Sequence, residues 1–388
     1  MINVVDLFSG AGGLTFGFKK KIVRNRFVDK DIFNVIFANE FDSAAAEAFR
    51  LNFPDIPMLE EDISNLDKEY LDKMYLNLSN TDLIIGGPPC QSFSTVGKRQ
   101  YDNRAKMYRE YRRLLSILKP KMFVFENVLG LLTMKNDTGS PVIEDVVKSF
   151  EDLSDFDNDF GYIVHRKVLN SQHFGVPQGR ERVFLVGIRK DLELKYDWEF
   201  PYIDENKKVV TVGEAISDLP SLANGAGTNK YQRKPETRYQ YLMRDNQKIL
   251  NNHINACYGE RMLKIMEAVI PGEGRPYINK LVEEGKLSKE LYLTSGYRNT
   301  YGRLWWDRPS TTITNNLSTP SSLRCIHPKQ NRALTSREGA RLQSFPDRFK
   351  FVGSKEKINS QIGNAVPPLL SISLANAIED FFYKNFDL

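Results

Sequence analysis

Ile2–Leu14, INVVDLFSGAGGL, is the stretch of this 388-residue chain that says most about its fold. It begins with an apolar run typical of a buried β-strand, and it ends in a glycine-rich turn at which a ligand can approach bare backbone. The spacing is not that of the dinucleotide fingerprint, because after Gly10 and Gly12 the third glycine is expected where the chain has Thr15. The stretch therefore predicts either a ligand-binding turn or a structural turn between a strand and a helix.

Further apolar runs follow in the first half of the chain, and helical patterns lie between them. Strands that alternate with helices in this way predict a parallel α/β sheet. The predicted strands are Ile2–Phe8, Val35–Glu40, Asp82–Gly87, Met122–Val128 and Val183–Ile188, and the predicted helices are Ser43–Leu51, Met107–Leu118 and Pro141–Leu153.

The alternation of strands and helices ends near residue 190, where a composition rich in Asn, Lys, Tyr and Gly takes over. Thr335 and Glu338 have the spacing of a capping box, which predicts the start of a helix. A last apolar helix is expected from Pro368 to Phe382, packed on the sheet. We therefore predict a first domain over residues 1–195, a smaller domain over 196–330, and a segment over 331–388 that returns to the first domain.

The composition is that of a globular protein, with 41% apolar and 27% charged residues. No apolar run approaches the roughly 20 residues of a membrane helix, and the N-terminus does not resemble a secretory signal. Residues 200–330 carry 19 Lys and Arg against 13 Asp and Glu, a net charge of +6, whereas the rest of the chain is nearly neutral. This asymmetry indicates either a segment that faces a polyanion or an ordinary solvated surface.

Carboxylates follow the next strands of the predicted sheet. Glu40 ends the second strand, where a carboxylate commonly binds ribose hydroxyls, although a surface glutamate is the plainer alternative. Asp62 and Ile63 are placed to contact an adenine edge. Together with the glycine-rich turn they describe a ligand of the adenosine type without a required phosphate site, which S-adenosylmethionine fits better than NAD.

The chain has three cysteines, and they are scattered along it without a CxxC pair. This spacing argues against a zinc site or a disulfide framework and favours a reducing compartment. Cys90 follows Gly86–Pro89, a stiff turn at the sheet edge where α/β sites form, so it is a candidate nucleophile as well as a candidate core residue. We interpret Cys257 and Cys325 as structural.

Charged side chains mark the last two predicted strands. Glu126 ends an apolar strand, and burial there would raise its pKa, which suits a proton donor. Alternation places Arg180 and Arg182 on one face of the strand that follows. The alternative is a surface charge cluster paired through Glu181.

In this order the motifs resemble those of the cytosine-C5 DNA methyltransferases, in particular the prokaryotic restriction–modification type. Only the region from about 190 to 320 is unmatched, which is where that family carries its variable target-recognition region. The matching motifs are Asp6–Gly10, Asn39–Glu40, Pro88–Gln91, Glu126–Val128, Gln178–Arg182, Arg341–Pro346 and Gln361–Pro368.

The resemblance implies a Rossmann-like, S-adenosylmethionine-dependent methyltransferase core with a smaller inserted target-recognition domain. It implies methyl transfer to C5 of a cytosine that is flipped out of a short specific duplex site, with S-adenosylhomocysteine as product and no metal. The implied cofactor residues are Phe8, Ser9, Gly10, Gly13, Leu14, Glu40, Phe41, Asp62, Ile63, Pro88, Asn364 and Val366.

The resemblance also implies the catalytic roles. Cys90 would attack C6 of the cytosine, Glu126 would interact with N3, and Arg180 and Arg182 would hold the base, with Arg182 at its O2 edge. Residues 91–106 are expected to close over the base as a loop. The implied DNA contacts are Ser92, Ser94, Lys98, Arg104, Arg303 and Thr314.

From the resemblance we expect double-stranded DNA and a cognate restriction endonuclease as partners, no membrane, a monomer, and a cytoplasmic location at the nucleoid. Because the first motif begins at residue 6, we expect a stand-alone prokaryotic enzyme without an added regulatory domain. The alternatives are a tRNA cytosine-C5 methyltransferase and a non-catalytic DNA-binding regulator. Residues 19–34 are longer than in compact family members, and their basic start predicts a surface elaboration or an added DNA contact.

Overall fold

A computed structural model describes residues 1–74, 78–89, 107–136, 138–157, 159–206 and 208–387. Seven strands form the main sheet in the order β5–β4–β1–β6–β7–β9–β8, and two strand pairs, β2–β3 and β10–β11, lie outside it. The strands are β1 Ile2–Leu7, β2 Lys20–Val23, β3 Arg26–Asp29, β4 Phe33–Asn39, β5 Met58–Leu59, β6 Leu83–Gly86, β7 Met122–Val128, β8 Tyr162–Asn170, β9 Glu181–Arg189, β10 Gly302–Arg303 and β11 Arg324–Ile326.

The main sheet is mixed, which corrects the prediction of a parallel sheet. Five strands from β5 to β7 run parallel, whereas β9 is antiparallel to both β7 and β8. The strand β8 was not predicted, because it lies at the sheet edge and its sequence YIVHRKVLN exposes much of its length. The chain order reverses between β1 and β6, and in open α/β sheets ligands bind outside the carboxyl ends of the strands at such a switch point.

The three helices predicted in the first half are present. The helix α4 has the predicted bounds, and α2 and α6 differ from theirs by one or two residues. The α-helices of the described residues are α1 Thr15–Lys19, α2 Ser43–Asn52, α3 Lys68–Lys73, α4 Met107–Leu118, α5 Gly130–Thr133, α6 Val142–Glu151, α7 Val212–Ile216, α8 Arg238–Arg244, α9 Glu260–Ala268, α10 Arg275–Glu283, α11 Ser336–Leu342, α12 Lys355–Asn364 and α13 Pro368–Asn385.

Both faces of the sheet are covered by apolar side chains from helices. On one face Tyr111 of α4 packs edge-on against Phe125, and its buried hydroxyl donates to the carbonyl of Val124 at 2.9 Å. On the other face α13 lies against α1 so closely that a Cβ on Gly17 would come within 2.2 Å of the backbone of Ser371. The predicted final helix is thus confirmed, and it continues three residues beyond Phe382.

The region from α7 to β11 contributes to two cores. Residues of α7 and α8, such as Val212 and Leu242, join the large core on the α13 face of the sheet. A separate small core forms around Ile265, Ile278 and Leu293. The domain boundaries at residues 195 and 330 remain a prediction.

The basic insertion at residues 19–34 forms the antiparallel hairpin β2–β3. Phe27 anchors it by packing edge-on against Phe16, with ring centroids 5.2 Å apart. The backbone N–H of Ile2, at the start of β1, donates to the carbonyl of Ile32 directly after the hairpin. The insertion therefore lies at the amino edge of the sheet, opposite the edge expected to bind ligands, which favours a surface elaboration.

A buried ion pair fixes the start of α11. The predicted capping box is present, because Thr335 accepts from the backbone N–H of Glu338 and Glu338 accepts from that of Thr335. Both carboxylate oxygens of Glu338 also accept from the Arg332 guanidinium, at 2.7 and 2.6 Å. The positive charge of Arg332 holds the pKa of Glu338 well below its usual value, against the effect of burial.

Replacing Arg332 by methionine should lower the free energy of unfolding by about 3–5 kcal/mol, because it leaves the buried Glu338 carboxylate without its counter-charge. The matched control is Lys73→Met, which removes an exposed ion pair with Glu69 and should change stability by less than about 1 kcal/mol. Urea unfolding at pH 7 measures both. Equal small losses in the two variants would contradict the assigned role of the buried pair.

Candidate active site

The carboxyl ends of the parallel strands lie level with one another. Leu7 at the end of β1 pairs with Asn39 of β4 on one side and with Gly86 of β6 on the other. Gly86 in turn pairs with Phe125 of β7. The residues at this level therefore share one edge of the sheet. They are Phe8–Gly10, Glu40 and Gly87–Pro89, which directly follow the strand ends, and Glu126, which lies within β7 next to Phe125.

The backbone of the glycine-rich turn is hydrogen-bonded to a carboxylate. Glu40 accepts a hydrogen bond from the backbone N–H of Gly10 at 2.8 Å through one oxygen and from that of Asp42 at 2.8 Å through the other. Burial raises the pKa of Glu40, and the two backbone donors oppose this shift. Both Phe8 and Gly10 have a positive φ, and a Cβ on Gly10 would meet no atom within 4 Å. The backbone of Gly10 here borders open space.

The C-terminal segment closes against this turn. A Cβ on Gly13 would lie 2.6 Å from the carbonyl oxygen of Val366, so only glycine permits the contact. Ser9 donates its backbone N–H to the carbonyl of Asn39 at 3.0 Å, which ties the turn to β4. Asn364 is exposed, and its side chain donates to Ser360 at 3.1 Å. The turn and the segment that were predicted to share a cofactor thus lie in contact.

The predicted adenine contacts lie next to the same strand ends. The side chain of Asn39 donates to the carbonyls of Leu59 and Glu61, which fixes the segment that leads to Asp62. Asp62 caps a short 3-10 helix by accepting from Ser64, a bond that lowers its pKa. Three further predicted cofactor residues are buried, namely Leu14, Ile63 and Pro88. Phe41, in contrast, is 73% exposed.

Asp6 is a site residue that sequence reasoning missed. It is fully buried at the end of β1, and its Oδ2 accepts from the hydroxyl of Thr15. Its Oδ1 is buried without a hydrogen-bond partner among the described residues. Burial above all, with a smaller contribution from Glu40, raises its pKa from 3.8 to about 7. A carboxylate that directly precedes a glycine-rich turn at the end of an apolar strand was the available signal.

The raised pKa of Asp6 predicts a pH-dependent stability. Between pH 4 and 7 the native carboxyl keeps its proton while the unfolded one loses it, so stability falls as the pH rises through this window. Above pH 7 the difference between a pKa of 3.8 in the unfolded chain and about 7 in the native protein lowers the free energy of unfolding by about 4 kcal/mol. Asparagine does not titrate, so Asp6→Asn lacks this loss of stability. As the pH rises from 5 to 8, the free energy of unfolding of the variant should therefore increase relative to that of the wild type. Urea unfolding at the two pH values measures the gap, and parallel behaviour of the two proteins would contradict the shift.

A carboxylate and a guanidinium face each other at the next strand ends. Arg182 Nε of β9 lies 3.2 Å from Glu126 Oε1 of β7, and both side chains are largely buried. Burial raises the pKa of Glu126, and the charges of Arg182 and Arg180 oppose the shift, so the predicted direction is confirmed. A Cβ on Gly87 would lie 2.8 Å from Glu126 Oε2, so glycine makes room for this carboxylate.

Arg180 and Arg182 have different surroundings although they are two residues apart. Arg180 is fully buried and donates to the carbonyls of Ile313 and Gly363 at 2.9 and 3.0 Å. Arg182 lies beside Glu126 and also donates to the carbonyl of Glu181. The guanidinium of Arg182 faces the candidate site, whereas that of Arg180 joins segments of the chain behind it.

Arg303 is corrected from a DNA contact to a structural residue. Its side chain is buried, and it donates to the carbonyls of Val269 and His327, both at 2.7 Å, and to the side chain of Asn331 at 2.8 Å. A guanidinium that is enclosed in this way is not available to phosphate. Thr314 is half-buried, and its hydroxyl accepts from the backbone of Asn316 at 3.3 Å.

Several predicted site residues fall outside the described part of the chain. They are Cys90, Ser92, Ser94, Lys98 and Arg104, together with the rest of the predicted loop over 91–106. Of the remaining cysteines, Cys257 is exposed and Cys325 is buried. The described residues contain no group of three His, Cys, Asp or Glu side chains arranged to hold a metal ion, and none of their helices is both long and apolar enough to cross a bilayer.

Comparison with known proteins matches residues 2–380 to the family of C-5 cytosine-specific DNA methylases. The chain is 32% identical to the type II methyltransferase M.DdeI of Desulfomicrobium norvegicum, over 100% of this chain and 90% of that protein. It is 34% identical to the type II methyltransferase M1.HphI of Haemophilus parahaemolyticus, over 97% and 86%. A crystal structure of a putative DNA modification methyltransferase encoded within an Escherichia coli prophage superimposes with a TM-score of 0.71 at 27% identity, covering 99% of this chain and 100% of that one.

Proposed function

This chain belongs to the family of C-5 cytosine-specific DNA methylases and methylates cytosine C5 in DNA, and we propose that it does so through a covalent bond between Cys90 and cytosine C6. The Glu126–Arg182 pair carries this proposal. It lies at the same edge of the sheet as the glycine-rich turn and in contact with Gly87, which is three residues before Cys90 in the chain.

The chemistry requires these groups because cytosine C5 is a weak nucleophile. The Cys90 thiolate adds to C6, and the electron pair of the C5–C6 double bond moves to C5, while Glu126 supplies a proton or hydrogen bond at N3. Arg182 stabilises the charge that develops at the O2 edge. C5 would take its methyl group as the bond between that methyl group and the donor sulfur breaks, which leaves S-adenosylhomocysteine. A base then removes the C5 proton, the double bond re-forms, the thiolate leaves, and N3 returns its proton to Glu126.

The glycine-rich turn and the C-terminal segment fit the methyl donor. S-adenosylmethionine, when bound, supplies a methyl group on a sulfonium. We assign its adenosine to the open space beside Phe8 and Gly10, with Glu40 on the ribose and Phe41, Asp62, Ile63 and Pro88 around the adenine. The further residues that we assign to this pocket are Ser9, Gly13, Leu14, Asn364 and Val366.

The target cytosine lies inside a duplex stack, so the enzyme must turn the base outward to reach C6. We assign Thr314 and the loop over residues 91–106 to the DNA side of the site. The matching of this chain to type II methyltransferases supports a role as the protective partner of a restriction endonuclease. We also propose that it acts as a monomer on chromosomal DNA.

The covalent step can be trapped on DNA in which 5-fluorocytosine replaces cytosine. Fluorine at C5 leaves no proton to remove, so the enzyme should stay bonded to the DNA after methyl transfer. We expect a complex that survives denaturing electrophoresis only when S-adenosylmethionine is present, and a DNA-modified tryptic peptide that contains Cys90. Binding without any trapped complex would favour a non-catalytic DNA-binding protein, and methylation of tRNA instead of DNA would favour the RNA enzyme.

A further inference from the structure

Three buried side chains, Gln178, Arg180 and Gln343, form what we call the buried junction. Each is at most 1% exposed. They join the segment over residues 310–314, whose Thr314 the proposed function assigns to DNA, to the segment over 362–366, whose Asn364 and Val366 it assigns to the cofactor. Neither segment is a strand of the main sheet, so it is not sheet hydrogen bonding that joins them.

On the DNA side the junction holds the backbone of Ile313 from both directions. The N–H of Ile313 donates to Oε1 of Gln178 at 2.7 Å, and its carbonyl accepts from Nη1 of Arg180 at 2.9 Å. Thr312 adds a bond from its hydroxyl to the carbonyl of Gly179 at 2.9 Å. These bonds fix the residue before Thr314. They come from Gln178–Arg180, the segment that leads into β9, and Arg182 is the second residue of that strand.

On the cofactor side the junction holds the last turn of α12. Nη2 of Arg180 donates to the carbonyl of Gly363 at 3.0 Å, and Nε2 of Gln343 donates to that of Ile362 at 2.7 Å. Val366 follows Gly363 by three residues, and its carbonyl lies against Gly13 of the glycine-rich turn. This segment therefore spans the distance between the junction and the cofactor pocket.

Three contacts link the two segments: the Arg180 guanidinium, which donates to both of them, one amide–amide bond and one backbone contact. Nε2 of Gln178 donates to Oε1 of Gln343 at 2.7 Å. A Cβ on Gly363 would lie 2.2 Å from the carbonyl carbon of Thr314, so the two backbones touch. A buried donor or acceptor that loses its hydrogen-bond partner costs free energy. A shift of one segment therefore breaks or strains the bonds that hold the other.

We infer that the buried junction makes the binding of the cofactor and the binding of DNA mutually dependent. Gln178, Arg180 and Gln343 act as positioning residues: they set the 310–314 segment for DNA when the 362–366 segment is fixed by the cofactor. This inference rests on the proposed function for the assignment of a ligand to each segment. By linkage, DNA must then strengthen cofactor binding by the same factor by which the cofactor strengthens DNA binding.

The test is the affinity for a duplex that carries the enzyme's own methylation site, measured with and without saturating S-adenosylhomocysteine. In the wild type we expect the product to tighten DNA binding by about tenfold or more. In Gln343→Met, which cannot donate to Ile362 or accept from Gln178, this ratio should fall by at least about threefold. The affinity for S-adenosylhomocysteine without DNA should stay within about threefold of the wild-type value, because the pocket itself is intact.

Gln178→Glu is the second variant, because the carboxylate keeps an acceptor for Ile313 but removes the donor to Gln343. It breaks the amide–amide bond and should lower the ratio, while Arg180 still donates to both segments. The matched control is Gln361→Met. Gln361 is a buried amide of α12, the helix that also carries Gly363, but its hydrogen bonds go to the backbone of Val352, to whose carbonyl it donates at 2.8 Å. The control should keep the wild-type ratio. Thermal melting establishes that each variant is folded.

A wild-type ratio near one, or an unchanged ratio in the two junction variants, would overturn the inference. Loss of S-adenosylhomocysteine binding in Gln178→Glu without DNA would overturn it too, because the amide would then serve the pocket directly. A wild type that binds the cofactor product but no DNA would overturn the proposed function, and that outcome is distinct from the others.

Discussion

Replacement of Cys90 by alanine should abolish methyl transfer to DNA, lowering the rate by at least about 10⁴-fold, while the enzyme still binds S-adenosylhomocysteine. Without a thiolate at C6, C5 gains no electron density, and the losses known for removed nucleophiles in covalent enzymes reach this scale. Incorporation of a tritiated methyl group into plasmid DNA measures the rate, and calorimetry measures the affinity for the product.

The matched control for this prediction is Cys257→Ser. Cys257 is an exposed cysteine outside the candidate site, and its replacement should leave the rate unchanged. Methyl transfer by Cys90→Ala above about one hundredth of the wild-type rate would remove Cys90 from the role of nucleophile. A loss of transfer in a folded Cys257→Ser protein would show that the structural assignment of that cysteine is wrong.

Replacement of Glu126 by glutamine should lower kcat by about 10²–10⁴-fold, the usual contribution of a positioned general acid. Glutamine keeps the shape of the side chain and a hydrogen-bond donor, but it has no proton to give to N3. Glu144→Gln is the control, because Glu144 pairs with Arg166 on the surface and its change should leave kcat within about twofold. An equal kcat in Glu126→Gln and the wild type would contradict the assigned role.

The pH profile separates the two catalytic groups. Cys90 must lose its proton, so kcat rises with pH on the acid side. Glu126 must keep its proton, and burial raises its pKa, so kcat falls as the pH passes that raised value on the alkaline side. In Glu126→Gln the alkaline fall should disappear while the acid limb remains. An alkaline fall that persists in the variant would assign it to another group.

Much of the fold was predictable because its strands are apolar and follow one another at regular intervals. The bounds of β7 and α4 were predicted to the residue, since each is a continuous pattern with clear ends. The edge strand β8 was missed because its charged and exposed positions do not alternate as a half-buried strand should. The antiparallel direction of β9 was also missed, because strand direction is set by connections that leave no local signal.

The candidate site was predictable where chemistry and position coincide in the sequence. Glu126 stood out because a carboxylate at the end of an apolar strand is unusual, and the structure places Arg182 beside it. Arg303 was misjudged because the same residue type serves phosphates at a surface and carbonyls in an interior, and burial is decided by residues far along the chain. The buried junction was not predictable for the same reason, since Gln178 and Gln343 are 165 residues apart.

The most direct test of cytosine methylation by this chain is base-resolution bisulfite sequencing of DNA from cells that express it, beside cells that express Cys90→Ala. Methylation at C5 protects cytosine from conversion. We predict protected cytosines within one short sequence motif in the wild-type sample and none in the control. Complete conversion in both samples, with the protein folded and present, would contradict the account, as would the same protected motif in the Cys90→Ala sample.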